Sequence, residues 1–370
     1  MMMDVFGVGI PHVGYGRMAD SLREAVGRKV TLSSDADAIL FCVPPDMVKG
    51  WYEGQRTGVL TMWETTKPPI RFSRIFRAFD TLVVPCPWNA DLFAAYHQDI
   101  KVIPLGVDTE LWQPQDVVVN DRFRFITGGS GWKRKGIGQI IQAFRDANLP
   151  DSELLIKVTP HLLDDPGVYN FGPNIRVVKE TMTPEAERDF YATADCFVSA
   201  TRGEGFGMIP LQNLALGNRV IAPNHTGHEW FADLFDYPLG WHYSKAEMQY
   251  FTDIGDWFEP NHDELVDSMR DAYQKGRLSP WERRNRWEQV DERFTWDRAA
   301  DALLRVFPAG SQLKAKRWED FGKQTVKVRT LRKVSADVGV FRFRFPANTV
   351  VEVPVSTLTH LVECGLVTEL

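Results

Sequence analysis

Two successive series of short apolar runs, each interleaved with helical patterns, constrain this chain more than any other feature. In the first series, "DVFGVGI", "AILFCV", "TGVLTMW", "TLVVPC" and "IKVIPLGVD" read as strands. "GYGRMADSLREAV" and "PWNADLFAAY" read as helices between them. Strands that are apolar throughout, alternating with helices, imply a parallel sheet covered on both faces. The polar stretch "TELWQPQDVVVNDR" interrupts the pattern and places a hinge near residues 112–121.

A second series follows. "FRFITGG", "ELLIKVTP", "NIRVVK", "CFVSAT" and "RVIAP" read as strands, and "GIGQIIQAFRDA" and "TPEAERDFYATA" as helices. Thr183 before Pro184, Glu185 and Glu187 is a helix-start signal. "SPWERRNRWEQVDERF" and "TWDRAADALLRVF" read as further helices. From about residue 309 the composition turns basic. "TVKVRTLRKV", "VFRFRF" and "TVVEVPV" alternate at period two, and "STLTHLVECG" reads as a short helix. The expected organisation is α/β: two doubly wound Rossmann-like domains over 1–115 and 116–308, a basic linker over 309–324, and a small β-rich module over 325–370.

Bulk properties exclude several classes. The net charge of −6 gives no global field toward nucleic acid or membrane. No apolar run reaches the length of a membrane span, and "MMMDVFGVGI" lacks the basic and apolar regions of a signal peptide. Cys42, Cys86, Cys196 and Cys364 show no CxxC spacing, which argues against a zinc site or disulfide framework and fits a reducing, cytoplasmic setting. The chain carries 12 tryptophans, several in polar surroundings, and flat aromatic surface suits stacking on sugars or bases as well as packing.

Open α/β sheets bind ligands beyond the carboxyl ends of their strands, where three glycine-rich turns fall here. Gly14-Tyr15-Gly16 follows the first strand. "GGSGWKRKG" places Gly129, Ser130, Lys133, Arg134 and Lys135 before a helix, in outline a site for a diphosphate. It is neither a Walker loop nor a dinucleotide fingerprint. The third turn, "RGEGFGMIPLQNLALG", puts Glu204 in a loop and Gln212 on the following helix. Glu204 there is either a helix cap or an acceptor for hydroxyl groups, beside the amides of Gly205, Phe206 and Gly207.

"RGEGFGMIPLQNLALGNRVIAP" resembles the EGFG…E region of retaining GT-B glycosyltransferases, especially glycosyltransferase family 4. "VIPLGVDTELWQP" is similar to the segment joining their two domains, and "FITGGSGWKRKGIGQIIQAF" to their phosphate loop. "TMWETTKPP" and "VVPCPWNADLF" resemble the acceptor-side domain of one branch. The resemblance spans roughly residues 1–307. It implies a GT-B fold, retaining transfer by front-face attack, and a nucleotide-sugar co-substrate such as UDP-glucose with no obligate metal. It also implies that Lys135, with Arg134, neutralises the diphosphate and that Glu204 and the Gly205, Phe206, Gly207 and Met208 turn hold the donor sugar. Gln212 stands where a ribose-binding glutamate is usual, Val178 and Lys179 border the base, and Gly14, Tyr15 and Gly16 face the diphosphate. Ser130 replaces a common arginine. Glu64, after Trp63, stands near the place of a first-domain histidine and joins Glu204 and Lys135 as a catalytic candidate.

Loop placement nominates Arg17, Trp51, Tyr52, Trp63 and Trp88 for the acceptor side. Lys314, Lys316, Arg317, Lys323, Lys327, Arg329, Arg332, Lys333, Arg342 and Arg344 make the tail basic, which fits either a solvated face or a track along a phosphate backbone. The tail is similar to small β modules appended to bacteriophage proteins. That likeness implies a modified DNA base as one acceptor, in a bacterial host's cytoplasm. A saccharide or protein acceptor, and a degenerate GT-B protein that binds without turnover, are the other readings.

Overall fold

The computed structural model describes residues 2–7, 14–32, 38–42, 56–70, 72–115, 121–163, 171–248 and 251–307, together with five strand segments between 325 and 369. The first sheet contains β1 (Met2–Gly7), β2 (Thr31–Leu32), β3 (Ala38–Cys42), β4 (Arg56–Leu60), β5 (Thr81–Val84) and β6 (Ile100–Val102). They lie in the order β2-β1-β3-β4-β5-β6, with every neighbour parallel. Every residue of β3 and β5 is buried, as continuous apolar strands covered on both faces require. The helices of this lobe are α1 (Gly14–Gly27), α2 (Phe72–Phe76) and α3 (Pro87–Phe93).

The second lobe repeats the plan. Its strands are β7 (Phe123–Gly131), β8 (Ser152–Leu163), β9 (Ile175–Lys179), β10 (Cys196–Val198), β11 (Arg219–Pro223) and β12 (Tyr237–Leu239). Their order is β12-β11-β10-β7-β8-β9, again all parallel. The crossovers reverse direction between β7 and β10, so the crevice for a ligand opens beyond the ends of those two strands. Helices α4 (Ile137–Ala147), α5 (Pro184–Ala192) and α6 (Met208–Ala215) connect the strands. In α4 the buried Ile137, Ile140, Ile141 and Phe144 recur at helical spacing. Thr183 caps α5, its Oγ1 accepting from the Ala186 amide at 3.2 Å.

The chain then adds an antiparallel hairpin, β13 (Trp241–Lys245) with β14 (Asp256–Pro260), and helices α7 (His262–Lys275), α8 (Pro280–Arg293) and α9 (Trp296–Val306). Helix α9 returns to the first lobe and packs on α1, with Arg28 on Asp297 at 3.0 Å and Lys29 on Asp301 at 2.9 Å. Phe307, just beyond α9, fills the space left by the missing side chain of Gly58 in β4. The hairpin and α7 are not among the sequence expectations. In α7 only Leu265, Val266, Met269 and Ala272 are buried, a narrow stripe in a polar run, although Asn261 caps it through the Asp263 and Glu264 amides.

Two expected loops differ in form. Gly128 to Gly131 form the end of β7, not a loop, because β7 stays paired with β8 to Gly131 through a register shift after Gly129. Gly14 to Gly16 belong to the first turn of α1. "TGVLTMW" leaves the sheet at Leu60. In the tail, β18 (Val350–Pro354), β15 (Thr325–Thr330) and β19 (Val367–Glu369) form one antiparallel sheet in that order. β16 (Val334–Val338) pairs with β17 (Phe341–Phe345) in another. The basic linker 309–324 and the expected helix "STLTHLVECG" lie outside the described residues. No helix among the described residues is long and apolar enough to cross a membrane.

Candidate active site at the lobe seam

Beyond the ends of β7 and β10, two cations and a carboxylate converge. The turn 132–136 carries Arg134 and Lys135 from β7 into α4, and the loop after β10 carries Glu204. Lys135 Nζ lies 2.5 Å from Glu204 Oε1, with its aliphatic stem laid over Gly129. Arg134 Nη1 donates to the Gly203 carbonyl at 2.5 Å and lies 3.5 Å from Glu204 Oε2. Thr201 Oγ1 donates to Glu204 Oε1 at 2.8 Å. Glu204 does not cap α6: the residue before that helix is Gly207, with φ of 106° and no side-chain cap.

Beneath this cluster lies a hydrogen-bonded floor. The Glu204 amide donates to Thr226 Oγ1 at 3.1 Å, and that hydroxyl donates on to His225 Nδ1 at 3.2 Å. His225 Nε2 then donates to the Thr201 carbonyl at 3.1 Å. His228 Nδ1 donates to the Pro223 carbonyl at 3.0 Å, leaving Nε2 buried and unpartnered beside Gly207. These contacts fix both tautomers. Burial pushes His225 down to about 3 and His228 down to about 4, so both rings are neutral near pH 7.

The charges are tuned together. Burial opposes ionisation of Glu204, but Lys135 and then Arg134 overcome it and hold the carboxyl well below the usual range. Burial pushes the Lys135 ammonium down against the pull of Glu204, and Arg134 adds to the lowering. Burial works against the Arg134 guanidinium too, yet Glu204 and Glu64 raise it. Glu64, half-buried, reaches the cluster from the first lobe. Its carboxyl is raised by burial against the opposing pull of Arg134, with Glu204 adding to the rise.

The lobes meet at this loop. A side chain on Gly203 would stand 1.8 Å from the Glu64 carbonyl, so a β-carbon there is excluded. Asn89 Nδ2 donates to the Gly205 carbonyl at 2.7 Å, and its Oδ1 accepts the Trp63 amide at 2.8 Å. Thr65 Oγ1 donates to the Ile254 carbonyl at 2.5 Å. Arg17 pairs with Glu187 and donates to the Met182 carbonyl at 3.1 Å, while Glu187 also holds Lys157 at 2.7 Å.

Other nominated residues fall in varied places. Ser130 and Lys133 are exposed, Lys133 lying 3.5 Å from Glu247. Val178 and Lys179 lie on β9, the edge strand. Phe206 is buried against Phe231 and Phe294. Met208 and Gln212 are half-buried on α6, and the half-buried Tyr15 bonds Thr61 Oγ1 at 3.1 Å. Gly14 is exposed and Gly16 buried on α1.

Two acceptor-side nominations are corrected. Trp63 presents no open face: it is 5 % exposed, donates from Nε1 to Thr65 Oγ1 at 2.7 Å, and packs on Phe251 across the seam at 4.9 Å. Arg17 is committed to the second lobe, where it pairs with the other oxygen of the nearly buried Glu187, beside Lys157, and donates to the Met182 carbonyl. Trp88 is half-buried against Phe258. Trp51 and Tyr52 lie outside the described residues.

No protein-family model matches the chain. Among solved structures, it is similar to a sucrose-phosphate synthase from Thermosynechococcus elongatus, with TM-score 0.54, 14 % identity, and coverage of 78 % of this chain and 76 % of that one. It is likewise similar to HepE of Anabaena, solved with UDP and glucose, at TM-score 0.53 and 11 % identity, covering 80 % of this chain and 83 % of that one. The fold is GT-B. Among curated proteins, ORF313 of Acidianus filamentous virus 1, named as a candidate glycosyltransferase, is 25 % identical over 181 residues, 44 % of this chain. The chain spans about half the length of that curated relative, 52 %.

Within the GT-B fold the cluster sits where the second sheet reverses its winding. Asn89, Thr201, Thr226, His225 and His228 are site residues that sequence reasoning missed. "NHTGHEW" follows β11 directly, so the strand-end rule that nominated the other turns reaches it too. Among the described residues no group of three or more His, Cys, Asp or Glu side chains is arranged to hold a metal ion.

Proposed function

We propose that the chain is a retaining glycosyltransferase, of the family 4 type, that moves a sugar from a nucleoside diphosphate donor, UDP-glucose or a close relative, to an acceptor hydroxyl. The observation that carries this reading is the Lys135–Arg134–Glu204 cluster at the switch point of the second sheet. An ammonium offers three donors and Glu204 uses one, so Lys135 keeps two for diphosphate oxygens. Glu204 keeps acceptor positions for sugar hydroxyls. As the glycosidic bond breaks, charge grows on the leaving diphosphate, and cations fixed beforehand stabilise it without reorganising. The departing phosphate takes the acceptor proton, and Glu64 faces the reacting centre from the first lobe. HepE's UDP and glucose are a precedent for such a donor in this fold.

In this reading residues 1–115 serve the acceptor, 116–308 the donor, and 325–370 form an accessory module. A viral relative and the basic tail favour a second acceptor class, a modified pyrimidine in viral DNA made within a host cell. A thermal-shift screen of nucleotides and nucleotide sugars tests the donor, since a ligand bound only by the folded chain raises the melting point. No shift with any of them removes the donor assignment. Incubation with hydroxymethylpyrimidine DNA, followed by nucleoside mass analysis, tests the acceptor. Donor binding with no transfer to any saccharide, protein or DNA leaves a binding protein without turnover.

A further inference from the structure

The two carboxylates of the cluster come from different lobes, and one buried amide stands between their backbones. Asn89, at the start of α3, is fully buried. Its Oδ1 accepts the N–H of Trp63, the residue before Glu64, at 2.8 Å. Its Nδ2 donates to the carbonyl of Gly205, the residue after Glu204, at 2.7 Å. A carboxamide carries an acceptor oxygen and a donor nitrogen as separate atoms on one planar group, so it can bond two backbones at once. Two close approaches mark the same seam. A β-carbon on Gly203 would meet the Glu64 carbonyl at 1.8 Å, and one on Gly205 would meet Met62 Cγ at 2.2 Å.

We infer that Asn89 is a positioning residue that holds Glu64 in register with Glu204, so that the reacting centre is complete only when the lobes are docked through this amide. The inference rests on the proposed glycosyl transfer. Asn89 touches neither donor nor acceptor. It sets where Glu64 stands relative to a sugar held by Glu204, while Lys135 and Arg134 bind the nucleotide from the second lobe alone.

Asn89→Ala removes both bonds, and Asn89→Asp keeps the acceptor for Trp63 but sets a carboxylate against the Gly205 carbonyl. The assay is UDP release from UDP-glucose, with calorimetric titration of UDP alongside. The expected result in either variant is a fall in kcat of at least about tenfold, with UDP affinity within about threefold of the parent. An unchanged kcat, or a kcat and UDP affinity that fall in parallel, overturns the inference and leaves the glycosyltransferase reading standing. Should the parent protein neither bind UDP nor release it, that reading fails, and hydrogen exchange decides the bridge instead. In Asn89→Ala, faster exchange in both 61–66 and 203–208 supports a bridge between lobes. Faster exchange in 61–66 alone, or in neither, overturns it.

Discussion

The two six-stranded sheets are both parallel throughout, though their strand orders differ (β2-β1-β3-β4-β5-β6 against β9-β8-β7-β10-β11-β12), and their carboxyl edges carry different chemistry. At the second sheet's switch point stand Lys135, Arg134 and Glu204, paired at 2.5–3.5 Å and supported by Thr201, Thr226 and two neutral histidines. Among the described residues at the first sheet's edge, Tyr15, Thr61 and Asn89 make neutral hydrogen bonds, and Glu64 and Arg17 supply the charge. The same parallel, doubly wound plan therefore hosts a charged cradle in one lobe and a more neutral wall in the other. Winding decides where a site can form, and loop residues decide what it does.

This contrast predicts unequal sensitivity. Glu204→Gln in the second lobe removes the carboxylate that pairs with Lys135, and the rate of UDP release from UDP-glucose should fall about 10²–10³-fold, the loss seen when one preorganised group is removed. A rate within about fivefold of the parent would break the contrast. Gly203→Ala comes next. Its β-carbon meets the Glu64 backbone, so the lobes must part, and stability should fall by about 1–3 kcal/mol in chemical denaturation.

The histidine floor gives a pH signature confined to the second lobe. His225 and His228 titrate at about 3 and about 4 when folded, below the value of about 6.5 for a free histidine. The unfolded chain therefore binds more protons between those limits. Stability from these two groups is complete above about pH 6.5 and is lost as pH falls toward about 4 for His228 and about 3 for His225, by about 1.4 kcal/mol per pH unit for each ring. Denaturation midpoints at pH 7.5, 6 and 5 check this, and His228→Gln should flatten the slope. The smallest effect belongs to the first lobe. Trp63→Phe deletes the Nε1 hydrogen bonds and should cost about 0.5–1.5 kcal/mol while leaving UDP affinity unchanged.

The sequence made the second lobe's cradle readable and the seam unreadable, for one physical reason. Lys135 and Glu204 lie in glycine-rich turns directly after apolar strands, so strand ends and turn chemistry place them at one edge. Asn89 and the pairing of Arg17 with Glu187 depend on how the lobes dock, which no local period encodes. Trp63 misled for the same reason. It stands among polar residues in sequence, yet those neighbours bond its Nε1 inside the seam. The Gly128–Gly131 run looked like a loop because β-propensity is low there, but sheet pairing with β8 overrode it. Helix α7 hid in a polar run whose buried face is only four residues wide.

The central claim is that the cradle between β7 and β10 binds a nucleoside diphosphate through Lys135. Calorimetric titration of UDP into the parent chain and into Lys135→Ala tests it directly. One-to-one binding to the parent, weakened by about a hundredfold or more in a variant that keeps its fold, is the expected result. No heat with the parent, or equal affinity in the two, would contradict it.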